Sequence, residues 1–162
     1  AVELAIQSSS ESPHKDGWVA ELGVVVGELQ EVVPADPRWQ ITVDAGDIGG
    51  PSAGLMFALE IVDRLTDGDL TRGYRIAGTG TIDDQGQVGP IGGIRHKVVA
   101  AHRAGADIFF APKDSVLDGR AIRNATEAMF KARSIGSSMT VVPVATLDEA
   151  IGYLESLPPK QG

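Results

Sequence analysis

Residues 77–97 read AGTGTIDDQGQVGPIGGIRHK and continue as VVAAHRAGA. Residues 74–82 and 87–91 carry the β-rich composition of two strands, and Asp83-Asp84-Gln85-Gly86 supplies the turn between them. After Gly92-Gly93 the pattern changes to a helix over residues 94–104, which Gly105 stops. One short stretch therefore encodes strand, turn, strand, tight turn and helix. That alternation sets the fold class.

Working upstream, residues 53–65 read as a helix that is apolar nearly all round, with Glu60, Asp63 and Arg64 only towards its end. Such a helix is expected to be largely buried. It follows a glycine-rich turn, Gly46-Asp47-Ile48-Gly49-Gly50-Pro51-Ser52. Residues 39–43 alternate as a strand, Pro34 and Pro37 interrupt, and residues 22–29 contain the buried-strand run Gly23-Val24-Val25-Val26-Gly27. Residues 8–16 are polar and loop-like, and residues 1–6 alternate as a short strand.

Downstream, residues 108–111 form a strand ended by Pro112, residues 119–135 a third helix, and residues 140–144 a last strand. Thr146-Leu147-Asp148-Glu149 is a capping box that opens a helix to about Leu157. Strands and helices mix without a regular βαβ repeat. The expectation is an α+β (mixed α/β) domain with a small mixed sheet and packed helices, not a doubly wound sheet.

The 162 residues suffice for one domain with a sizeable core. A formal net charge of −8 argues against a nucleic-acid surface, which needs a basic footprint. The chain has no cysteine, so disulfides, thiolate metal sites and a cysteine nucleophile are excluded. No His, Asp and Glu cluster has metal-ligand spacing, and the phosphate-loop pattern GxxxxGK[ST] is missing. No cofactor is implied. No apolar run has the roughly 20 residues of a membrane span. The chain begins at Ala1 in residues that already read as strand, which suggests a piece of a longer protein.

Ser52 stands after Gly49-Gly50-Pro51 and just before a helix. Glycines let N–H groups approach a substrate carbonyl, and a helix N-terminus places partial positive charge where an oxyanion would form. Read locally, Ser52 is either a nucleophile or a simple helix cap. Its usual partners have no motif to recommend them. His14 falls in the polar loop, while His96 and His102 share helix faces with Arg95 and Arg103.

Lys97 lies on the other side of that helix, among Ala100, Ala101 and Ala104 and beside Ile94 and Val98. Small apolar surroundings favour the neutral amine that a general base needs. The local alternative is a lysine that lays its stem over the alanines and keeps its head in water.

Taken together, two segments resemble the proteolytic domain of Lon-type peptidases. Gly50-Pro51-Ser52-Ala53-Gly54 is similar to the family's nucleophile motif, and Pro90 to Lys97 to its PIGG-(x)3-K element. The similarity covers roughly residues 41 to 113, with weaker support in VVPVATLDEAI. The resemblance implies Ser52 as nucleophile, Lys97 as general base, Thr79 as the residue orienting the lysine, and Gly50 and Pro51 as supporting the oxyanion site. It also implies a polypeptide substrate, cleaved through an acyl-enzyme.

One departure refines the resemblance. Lon enzymes usually carry a lysine–aspartate pair before the glycine of the serine motif, and here those positions are Ile48-Gly49. This form resembles bacterial Lon-like peptidases joined to a PDZ module and anchored in the membrane, with the enzyme on the extracytoplasmic face. Residues 1–30 would then be the remnant of a preceding module with the first strand or strands, and residues 31–162 the proteolytic domain. A homo-oligomer is compatible with the family. Two rival readings are a catalytically silent binding or assembly module of the same fold, and a small-molecule kinase of the galactokinase type.

Overall fold

The computed structural model describes residues 50–161. The expected strands at residues 1–6, 22–29 and 39–43, the loop at 8–16 and the module boundary near residue 30 lie outside the described residues.

The fold is mixed α/β. A 3-10 turn, Pro51–Ala53, runs into helix α1, Gly54–Leu65. Strands β1 (Ile76–Gly78), β2 (Thr81–Ile82) and β3 (Val88–Gly89) precede helix α2, Ile94–Arg103. Strand β4 (Ile108–Pro112) leads to β5 (Ser115–Leu117) and β6 (Arg120–Ile122), then helix α3, Asn124–Ser134. Strand β7 (Thr140–Val144) and helix α4 (Leu147–Ser156) follow.

β1, β4 and β7 form a parallel sheet in that order, with Ile76 opposite Ile108 and Ile108 opposite Thr140. β4 is central and buried at all five residues, as a strand covered on both faces must be. Its side chains alternate between two cores. Phe109 and Ala111 pack with Ile94, Val98 and Ala101 of α2 and with Ala128 and Ala132 of α3. Ile108 and Phe110 pack with Leu55 and Leu59 of α1 and with Ala150 and Leu154 of α4. Phe110 also meets Tyr153 edge-to-face, ring centres 5.9 Å apart. Burying a side chain of this size is worth about 1.5–3 kcal/mol.

Several expectations are modified. The strand expected at residues 74–82 is two strands, because Thr79 and Gly80 turn out of the sheet to bond the Ser52 carbonyl. β3 is shorter than residues 87–91, and Gln87 contributes only a bridge to Thr146. Two parallel crossovers do exist, β1–α2–β4 and β4–α3–β7, each interrupted by a small antiparallel pair. Helix α1 is not buried all round: Leu55 and Leu59 are its buried residues, and Leu65 is exposed.

The helix expected over residues 119–135 begins only at Asn124. Asp118 and Gly119 have φ of 50° and 74°. Two successive positive φ values make the two-residue turn of a hairpin, for which Asp-Gly is a preferred pair. The capping box of α4 is half formed. Thr146 accepts from the Glu149 N–H at 3.1 Å, but Glu149 reaches back to the Ala145 N–H at 2.7 Å. Its other oxygen takes Lys113 Nζ at 2.8 Å.

Candidate active site

Gly50 has φ 85° and ψ 160°, a combination almost confined to glycine. Pro51 follows at the first position of the 3-10 turn, where its fixed φ suits a helical start and its missing N–H costs nothing. Gly54 then begins α1 hard against β2: a Cβ there would lie 3.0 Å from Ile82 Cγ2 and 3.2 Å from the Ile82 backbone nitrogen. The glycine–proline–serine–alanine–glycine run therefore brings the helix start up to a strand edge. Ser52 is carried in the middle of it.

The Ser52 backbone is fixed by its carbonyl. It accepts the Gly80 N–H at 2.9 Å and the Thr79 hydroxyl at 2.9 Å. One residue into α1, the Leu55 N–H donates back to the Gly80 carbonyl at 3.1 Å. Thr79 is itself tied to the central strand, its N–H donating to the Phe110 carbonyl at 3.0 Å. The nucleophile candidate is thus coupled to the most buried strand of the domain.

Thr79 was expected beside the lysine, and its hydroxyl is found on the serine backbone. Its side-chain hydrogen goes to the Ser52 carbonyl, not to Lys97. The geometry is a matter of reach: Thr79 leaves β1 beside the 3-10 turn, and the nearest acceptor is the backbone it abuts.

Ser52 also does not cap the helix. No side-chain cap bond is made at the start of either the 3-10 turn or α1. Its Oγ instead lies 3.2 Å from Lys97 Nζ, within hydrogen-bonding distance. Both residues are half-buried. Lys97 occupies the first turn of α2 above the buried Ile94, Val98 and Ala101, which aims its stem across the helix towards α1. The alternative of a lysine with its head free in water does not describe this geometry. Two of the three alanines expected around it, Ala100 and Ala104, are exposed. Ala100 faces a groove shared with Phe130 and Lys131 of α3 and so does not enclose the lysine.

Gly50 and Pro51 form the turn that leads into the helix, and Pro51 has no N–H to offer an oxyanion. Of the N–H groups that open the helix, those of Gly54 and Leu55 already donate to the Pro51 and Gly80 carbonyls. His96 and His102 are exposed on α2, and His14 lies outside the described residues. Among the described residues no group of three or more His, Asp or Glu could hold a metal ion.

One residue was not singled out from sequence. Asn124, buried at the start of α3, binds both the N–H and the carbonyl of Ile91, in the loop before α2. Reading residues 119–135 as one helix placed Asn124 in a helix interior and hid it.

Residues 36–153 match the family described as the Lon protease (S16) C-terminal proteolytic domain. The chain is 39% identical over 121 residues to a Lon protease of Chloroflexus aurantiacus, covering 74% of this chain and 13% of that protein. It is 33% identical over 111 residues to the Lon protease of Haemophilus influenzae, covering 68% and 12%. Against Lon protease 1 of Bacillus subtilis it is 36% identical over 104 residues, covering 64% and 12%. The chain thus spans only about an eighth of the length of these relatives. A match over most of its own length, with the serine and lysine motifs inside it, is decisive for the domain: the chain belongs to the Lon protease (S16) C-terminal proteolytic domain family.

Proposed function

We propose that this domain is a serine endopeptidase that hydrolyses peptide bonds with a Ser52–Lys97 dyad. The observation that carries the reading is the 3.2 Å approach of Lys97 Nζ to Ser52 Oγ, made by residues 45 positions apart. For the attack, Nζ must act as a free amine that accepts the Ser52 O–H. Oγ then attacks the substrate carbonyl carbon, and its proton passes to Nζ. The tetrahedral intermediate collapses with cleavage of the C–N bond, and the Lys97 ammonium gives its proton to the leaving amine. Water attacks the acyl-enzyme by the same route in reverse, releasing a carboxylic acid and restoring Ser52.

The oxyanion would be held by N–H groups at the start of the helix, near Gly50 and Ser52, each worth about 3 kcal/mol. The substrate would be an unfolded or extended polypeptide, bound by strand addition along a sheet edge. The Ile48-Gly49 departure favours the PDZ-linked, membrane-anchored subgroup, with the anchor in another part of the protein and the enzyme facing outwards. Among the described residues no helix is long and apolar enough to cross a membrane.

Cleavage of an unfolded protein without ATP, by the wild type and by Ser52→Ala and Lys97→Ala, tests the reading. Cleavage by the wild type alone is expected, with a loss of at least about 100-fold on removing the base. An active Lys97→Ala would overturn the dyad. Inactivity of all three would favour the binding or assembly module.

A further inference from the structure

Lys97 is delivered to Ser52 by a loop that one side chain holds from outside. Asn124 is 4% exposed and opens α3. The Ile91 N–H donates to Asn124 Oδ1 at 2.9 Å, and Asn124 Nδ2 donates to the Ile91 carbonyl at 2.9 Å. A primary amide offers an acceptor and a donor side by side to one residue's backbone at any pH. An aspartate would lose the donor, and an alanine would leave both backbone groups without a partner.

Ile91 also packs its side chain against the core that holds Ile94 and Val98, a contact that is not directional. Helix α2 starts at Ile94 with Gly93 as its N-cap and no side-chain cap. The Gly93 carbonyl accepts the His96 and Lys97 N–H groups at 3.0 and 3.4 Å. Below the loop, α2 meets α3 through Ile94, Val98 and Ala101 against Ala128 and Ala132. Contacts of this kind hold two helices together but are non-directional, and small alanines offer few interlocking features against sliding along the axis. A pair of hydrogen bonds to one residue of the approach loop is directional. At 3.2 Å, Lys97 Nζ already sits at the long end of the N–H···O range from Ser52 Oγ, so a small axial shift breaks the contact.

We infer that Asn124 is a positioning residue for Lys97: by clasping both backbone polar groups of Ile91 it sets where α2 begins, and so the distance from Nζ to Ser52 Oγ. The inference rests on the Ser–Lys reading above. Asn124 touches neither the serine nor the lysine and acts through the loop alone.

The test is the rate at which Ser52 is phosphonylated by a peptidyl fluorophosphonate, Oγ bonding to phosphorus as fluoride leaves, followed by mass, in the wild type, Lys97→Ala, Asn124→Asp, Asn124→Ala and Asn124→Gln. Each rate is paired with the fraction of molecules finally labelled and with thermal unfolding. For a positioning residue, Asn124→Asp and Asn124→Ala label completely but about 100-fold more slowly, the cost of a misplacement of roughly 1 Å. Asn124→Gln, which keeps the amide, recovers part of the rate.

Slow labelling of a fully folded, fully reactive population is not what a purely structural role would give. If both variants label at the wild-type rate over their folded fraction, the inference is overturned while the dyad stands. If the wild type does not label, or Lys97→Ala labels equally fast, the Ser–Lys reading fails and takes this one with it. Asn124→Ser, too short to reach both backbone atoms, carries the test should Asn124→Ala not fold.

Discussion

The Thr79 hydroxyl donates to the carbonyl oxygen of Ser52 over 2.9 Å, and the same carbonyl accepts the Gly80 N–H at 2.9 Å. A carbonyl that accepts two hydrogen bonds fixes the peptide plane on which the serine stands. Thr79 is 1% exposed, so no water can readily replace its hydroxyl. Thr79→Val keeps the volume and removes the donor, and the net loss should be about 1 kcal/mol in stability. The effect on acylation should be larger, about 10-fold or more, because the serine backbone loses one of its two restraints. Thr79→Ser should stay close to wild type. Equal acylation by the valine and serine variants, each corrected for folded fraction, would remove Thr79 from the site.

The contact between Ser52 and Lys97 was legible only through the resemblance that two short runs carry together, since each residue read locally had an alternative role. Gly50, Pro51 and Gly54 are each required by a specific backbone conformation or close approach, and Lys97 sits at a fixed helical offset from Ile94 and Val98. What the sequence did not disclose depends on contacts between distant residues. Nothing within residues 74–82 says that Thr79 and Gly80 will leave the strand, because their partner is Ser52, in another element. Asn124 carries no local sign of its bond to Ile91, 33 residues away. The helix at 119–135 failed for a different reason. The Asp118-Gly119 pair was a readable turn signal, outweighed by the helical pattern that follows it.

That turn is itself testable. Gly119 sits at φ 74° and its Cβ would meet nothing within 4 Å, so Gly119→Ala changes backbone strain without a clash. Forcing alanine into the left-handed region costs about 1 kcal/mol. Val116 and Leu117 are exposed, 72% and 52%, so the hairpin has little packing to absorb the cost. The cost should appear as local opening. Amide exchange at Leu117 and Arg120 should speed up about fivefold, with Ser52 acylation unchanged. A shift in acylation would instead mean that the hairpin transmits strain to Asn124, which follows β6 by two residues.

Acid should loosen the domain through groups far from the dyad. Asp107 lies at the start of β4, where the Lys160 ammonium donates to it at 2.6 Å and the Arg75 N–H at 2.8 Å. The lysine bond first, and then the backbone bond, hold its carboxyl below the ordinary aspartate value. Glu149 is lowered likewise by Lys113 and then by the Ala145 N–H, and Asp114 chiefly by the Thr126 hydroxyl. For a carboxyl depressed in the folded state, the stabilisation is fully present above the unfolded value, about pH 4, and is lost as pH falls through the folded value. The melting temperature should therefore fall below about pH 4 as these groups protonate. Asp107→Asn tests the assignment, because it removes the charge and keeps an acceptor for the Arg75 N–H. The gap in melting temperature between wild type and variant should be widest near pH 6 and close as pH drops towards 2. Since Lys160 and Asp107 are both part-exposed, added salt should also narrow the gap at pH 6. A gap that stays constant from pH 6 to pH 2 would mean that the charge of Asp107 contributes nothing to the difference between the two proteins.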